Sequence, residues 1–66
     1  MTSGTVKMFS EKKFGFIRPD DKSLPDAFFH LSDCEFDVAP RVGERVEFEL
    51  GASNRGPRAS TVRLID

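Results

Sequence analysis

Four prolines and five glycines divide this 66-residue chain into runs of strand length, and helix signals are nearly absent. The clearest run is 44-ERVEFEL-50. Its Val46, Phe48 and Leu50 alternate with Arg45, Glu47 and Glu49, the pattern of a strand with one face in a core and the other in water. The same reading gives strands at 4-GTVKMF-9, 14-FGFIR-18, 26-DAFFHL-31 and 58-RASTVRLI-65. A tight turn on Ser10 to Lys13 joins the first two as a hairpin. The segments 19-PDDKSLP-25 and 51-GASNRGP-57 read as turns or loops, since Pro, Asp and Ser favour turns and Pro is excluded from a central ladder. Residues 32 to 43 form a long connection with room for one helical turn. Five short strands predict an all-β fold, and closure into a small antiparallel barrel protects their edges.

Residues 1–66 are expected to form one domain, which at this length buries only roughly 60% of its unfolded surface. The single cysteine, Cys34, rules out an internal disulfide and fits a reducing compartment. It reads as a small buried hydrophobe. The start, MTSGTVK, lacks the basic and apolar regions of a signal peptide, and no run is long enough to span a bilayer. The expectation is a soluble cytoplasmic monomer with no membrane partner. With one His and one Cys, neither a four-ligand zinc site nor a Cys-His pair with an orienting group has enough parts. No cofactor, metal, small-molecule substrate or catalytic residue is expected, and the chain does not read as an enzyme.

The net charge of −1 conceals an uneven layout. Lys7, Lys12, Lys13 and Arg18 lead the first part of the chain against Glu11 alone, whereas Asp33, Glu35, Asp37, Glu44, Glu47 and Glu49 crowd the middle. Arg55, Arg58 and Arg63 restore positive charge near the end. A fold with this layout can be neutral overall and still present one basic face.

The second and third strands sharpen that possibility. In 12-KKFGFI-17, Phe14 and Phe16 share a face with Lys12 and Arg18, while Gly15 and Ile17 point the other way. In 26-DAFFHL-31, Phe28 and His30 share the face of Asp26, opposite Ala27, Phe29 and Leu31. Ile17, Ala27, Phe29, Val46, Phe48 and Val62 already supply a core, so the remaining rings form an outer patch interleaved with cations. Rings that stack on bases and cations that follow phosphates describe a surface for single-stranded nucleic acid. A groove that docks a peptide on the same aromatic patch is the alternative.

The ordered set GTVKMF, KKFGFI, DAFFHLSD and NRGP resembles the landmarks GTVKWF, KGFGFI and DVFVHFS, with a following NRGP turn, of the cold-shock domain family. The resemblance covers nearly the whole chain. It implies a five-stranded barrel of the oligonucleotide/oligosaccharide-binding type and a ligand of single-stranded RNA or DNA bound with little sequence preference. An RNA chaperone role and regulation of transcription or translation are further implications. Matched position by position, it implies basic contacts at Lys7 and Lys12 and stacking at Phe14, Phe16, Phe28 and His30. Phe9 falls at an aromatic beside the platform, Asp26 at a polar contact and Arg55 at the arginine of the NRGP turn. Leu31 falls where the family often has a stacking Phe, although alternation turns it inward. Phe36 stands for an aromatic of the long connection.

Two departures matter most. Met8 takes the place of the family's tryptophan, which implies weaker binding; alternation turns Met8 inward, while the resemblance exposes it. Lys13 takes the place of the glycine in KGFGFI, beside a shorter turn. A left-handed backbone there would strain lysine, so the expectation is a rebuilt turn with added charge at phosphate level. The loop at 19–25 is longer than in short members and adds Lys22 as a contact.

Overall fold

The sheet begins with the hairpin of β1 (Thr2–Phe9) and β2 (Phe14–Pro19) and continues through β3 (Ala27–His30), a 3-10 turn at Leu31–Asp33, β4 (Arg45–Ser53) and β5 (Gly56–Leu64). A computed structural model describes residues 1–65. The strands close into a barrel in the order β1-β2-β3-β5-β4, with β4 returning to β1. Four of the strand pairings are antiparallel. The closing seam departs from the all-antiparallel expectation, since β3 and β5 run parallel and meet at Phe28 and Arg58.

Alternation carries the core. Ile17, Ala27, Phe29, Val46, Phe48 and Val62 are all fully buried, joined by Val6 and Ala59. Burying each large apolar side chain contributes about 1.5–3 kcal/mol, so Phe29 and Phe48, the bulkiest of the set, are prominent in holding a domain this small. Gly15 is required where β2 crosses this core. A Cβ there would collide with the Met8 carbonyl oxygen and lie 3.0 Å from the Phe29 ring.

Two bulges reset the alternation. In β1, Val6 pairs with Ile17 and Met8 with Phe16, so Lys7 is an extra residue. Val6 therefore points inward while Met8 points outward at 37% exposure, which decides between the two expectations for Met8. In β5 the register breaks opposite Phe48, and Thr61 adopts φ +50°. This extra residue lets Ala59 and Val62 both face the core. A β-branched residue in the left-handed region is strained.

Several boundaries differ from the sequence expectation. Pro19 extends β2 and pairs with Gly4 at the strand end, where a missing N–H is tolerated. Gly51 to Ser53 and Gly56 to Pro57 continue the β4–β5 ladder, leaving only Asn54 and Arg55 as its turn. Leu31 leaves β3 and opens the 3-10 turn, the one helical turn in the long connection. From there Cys34 bridges to Val62, and Glu35 N–H donates to the Val62 carbonyl at 2.8 Å.

Candidate nucleic-acid interface

The pairing of β2 with β3 sets Phe14 opposite His30 and Phe16 opposite Phe28. Their rings lie on the outer face, half-buried against one another. Phe14 and Phe28 stack at 5.8 Å between centroids and 27° between planes. Phe16 meets Phe28 edge-on at 5.8 Å and Phe14 at 6.5 Å. Phe29 of the core makes a separate pair with Phe9 at the barrel's edge, at 5.8 Å between centroids. Mutual packing orders the outer rings before any ligand arrives, and a flat base can still reach their open sides.

Met8 sits beside Phe16 as its β1 partner and borders a shallow apolar recess with Lys7, Phe16 and Asp26. Two of the expected contact residues meet each other there. Lys7 Nζ donates to the Asp26 carboxylate at 2.8 Å, so a phosphate that reaches Lys7 competes with Asp26.

The hairpin turn keeps its left-handed residue. Lys13 has φ +70°, its N–H donates to the Ser10 carbonyl at 2.9 Å, and Ser10 N–H donates to Phe14 at 2.8 Å. This is a β-turn followed by a left-handed residue, the usual form of a three-residue hairpin loop. The expected rebuilding of the turn at Lys13 is therefore corrected: lysine adopts the backbone that glycine prefers, at a cost of about 1–2 kcal/mol. The Lys13 carbonyl accepts from Leu31 N–H at 2.8 Å, which ties the turn to the end of β3. Lys12 is exposed at the turn's tip.

His30 is held from the backbone side. Ser32 N–H donates to Nδ1 at 3.1 Å, so the neutral ring carries its proton on Nε2, which is left to donate outward. His30 N–H donates to the Asp33 carboxylate at 2.9 Å, and Arg58 donates to the same oxygen at 2.9 Å. Arg58 is a residue that the sequence reading left out of the site. Its guanidinium lies 5.7 Å from the Phe28 centroid, and that of Arg55, which the reading included, lies at 5.8 Å. Both are within cation–π range of the central ring. Only the parallel register of β3 and β5 brings Arg58 there, and no local motif marks it.

The remaining expected residues lie at the rim. Leu31 is half-buried and borders one depression with Lys13, His30 and Phe36 and another with Phe9, Lys13 and Asp37. This places it beside the rings and not in the core, contrary to simple alternation. Phe9 and Phe36 pack against the core from outside, so both are edge residues and neither joins the three-ring cluster. Cys34 is half-buried, and burial followed by the charge of Asp33 pushes its thiol up to about 11. At neutral pH it is an inert thiol.

Charge is distributed unevenly around this face. Among the described residues, Lys12, Lys13, Arg18, Lys22, Arg41 and Arg55 have no carboxylate within salt-bridge distance; Lys12, Lys13 and Arg55 lie beside the ring cluster, whereas Arg18 and Lys22 line a separate groove beside the 19–26 loop. Arg45 and Arg63 are engaged with Asp20 and Glu47. Among the described residues there is no group of three His, Cys, Asp or Glu able to hold a metal, and no helix long and apolar enough to cross a membrane.

The family described as the "Cold-shock" DNA-binding domain matches residues 2–65. The chain is 46% identical to the "Cold shock protein" of Arthrobacter globiformis, over 98% of this chain and 100% of that protein. It is 44% identical to the "Cold shock-like protein CspE" of Escherichia coli (strain K12), over 89% of this chain and 88% of that protein. In three dimensions it is similar to a solved structure described as "drosophila Unr CSD456", with a TM-score of 0.80 and 21% identity. That likeness covers 98% of this chain and 26% of the other, and concerns the fold alone.

Proposed function

The chain belongs to the cold-shock domain family, and from that premise we propose that its outer ring face binds single-stranded RNA or DNA with little sequence preference. The observation that carries this reading is the cluster of Phe14, Phe16 and Phe28, held within 5.8–6.5 Å of one another on the outside of a barrel whose core is complete without them. Each base stacked on such a ring contributes about 1–3 kcal/mol. His30, Arg55 and Arg58 flank the rings with donors, while Lys12 and Lys13 carry positive charge at one end.

A protein with this surface acts as an RNA chaperone by mass action. Affinity for the unpaired strand draws hairpins open without fuel, and through such hairpins transcription or translation is regulated. Titration of a labelled oligothymidine and a structured RNA at two salt concentrations tests the reading. Affinity is expected to fall with log salt by about 0.7 per phosphate contacted. A ring-dominated peptide site would show little of that dependence, and absence of binding at micromolar protein would remove the nucleic-acid reading.

A further inference from the structure

We propose that a strand bound on the ring face does not end at Met8 but continues past Asp26 into the groove beside the 19–26 loop, where Arg18 and Lys22 hold its phosphates. This rests on the reading of the ring face as a single-strand site and extends it by a second, electrostatic segment. Three observations carry it.

The first is continuity. Asp26 borders both the Met8–Phe16 recess and the groove, which is lined further on by Thr5, Arg18, Asp20, Lys22 and Leu24. A chain leaving Phe16 over Met8 therefore meets Asp26, the residue that the recess and the groove share. The second is charge. The carboxylates along this path are already engaged, Asp26 by Lys7 at 2.8 Å and Asp20 by Arg45 at 2.6 and 2.7 Å. Asp21, at the groove's flank, accepts from the Ser23 N–H and hydroxyl at 2.9 and 2.7 Å. Ser23 is neutral and leaves the Asp21 charge in place, but Arg18 and Lys22, with no carboxylate partner among the described residues, exceed it by one positive charge. The third is chemistry. Arg18 offers a planar fork of donors suited to phosphate and Lys22 a compact ammonium. The groove carries no aromatic ring, so it suits the backbone of a strand and not its bases.

The experiment compares labelled oligothymidines of about four and about ten nucleotides, within the range of site sizes for barrels of this class. The double variant Arg18→Gln/Lys22→Gln is expected to bind the short oligonucleotide as the wild type does. It should bind the long one about tenfold more weakly, with a salt slope shallower by about 1.4 for two lost contacts. Arg41→Gln, which removes an unengaged cation away from the groove, should change neither. Phe28→Ala should weaken both lengths. Equal weakening of both lengths by the double variant, or no weakening of the long one, would overturn the proposed path while leaving the ring site standing. Failure of the wild type to bind either oligonucleotide would overturn the ring site and this path together.

Discussion

Phe28 and Phe29 are neighbours in the chain, identical in chemistry, and opposite in placement. Phe29 is fully buried among Val6, Ile17 and Phe48, whereas Phe28 is half-exposed between Phe14 and two guanidiniums. Residue type cannot tell them apart. What separates them is the strand's period of two, together with the apolar residues that the other strands have already committed to the interior. One strand of a small barrel can thus turn adjacent rings to opposite faces, Phe29 into the core and Phe28 into the outer cluster with Phe14 and Phe16.

The largest expected effect falls on the inner set. Phe29→Ala should cost about 3–5 kcal/mol, measured by urea denaturation, and leave much of a domain this small unfolded. A loss below 1 kcal/mol would mean that the interior is not organised around this ring. On the outer set, Met8→Trp should tighten binding by about 1–3 kcal/mol, one further stacked base, because Met8 already faces outward beside Phe16. Unchanged affinity for a short oligothymidine would show that the ring face ends at Phe16.

Lys13→Gly sharpens the comparison by moving stability and binding in opposite directions. Removing the left-handed lysine should stabilise the fold by about 1 kcal/mol and make the salt slope of binding shallower by about 0.7. A thermal midpoint that does not rise would show that the turn carries no strain at φ +70°.

The smallest effect lies away from both ring sets. The Arg45 guanidinium hydrogen-bonds both Asp20 oxygens and holds that carboxyl below its ordinary value of 3.8. A carboxyl with a lowered folded value stabilises the fold above the unfolded value and loses that contribution as pH falls through the folded one. Wild type should therefore melt slightly above Asp20→Asn at neutral pH, with the difference closing once the pH drops below 3.8. A difference that persists in acid would assign the effect to something other than the ion pair.

The division between the two ring sets was legible in the sequence because it depends on local alternation. Ile17, Ala27, Phe29, Val46, Phe48 and Val62 are buried as assigned, whereas Leu50 and Leu31, which alternation also turns inward, and Cys34 are only partly buried. Alternation failed where the backbone inserts an extra residue, since nothing in GTVKMF or ASTVRL marks the bulges at Lys7 and Thr61. Gly51 and Pro57 read as breakers, yet both are paired, because the β4–β5 ribbon runs on to a turn of only two residues. The guanidinium of Arg58 beside Phe28 follows from a parallel seam between strands far apart in the chain, information that no local pattern contains.

The central claim is that the outer rings recognise and the inner rings hold. Its most direct test is the double variant Phe14→Ala/Phe28→Ala, followed by far-ultraviolet circular dichroism and by titration of a labelled oligothymidine. The label must be on the oligonucleotide, since the chain has no Trp or Tyr. The predicted result is a folded barrel with affinity reduced by about 1–3 kcal/mol for each lost ring. A folded variant that binds as tightly as the wild type would contradict the claim for recognition, and a variant that fails to fold would return these rings to the core.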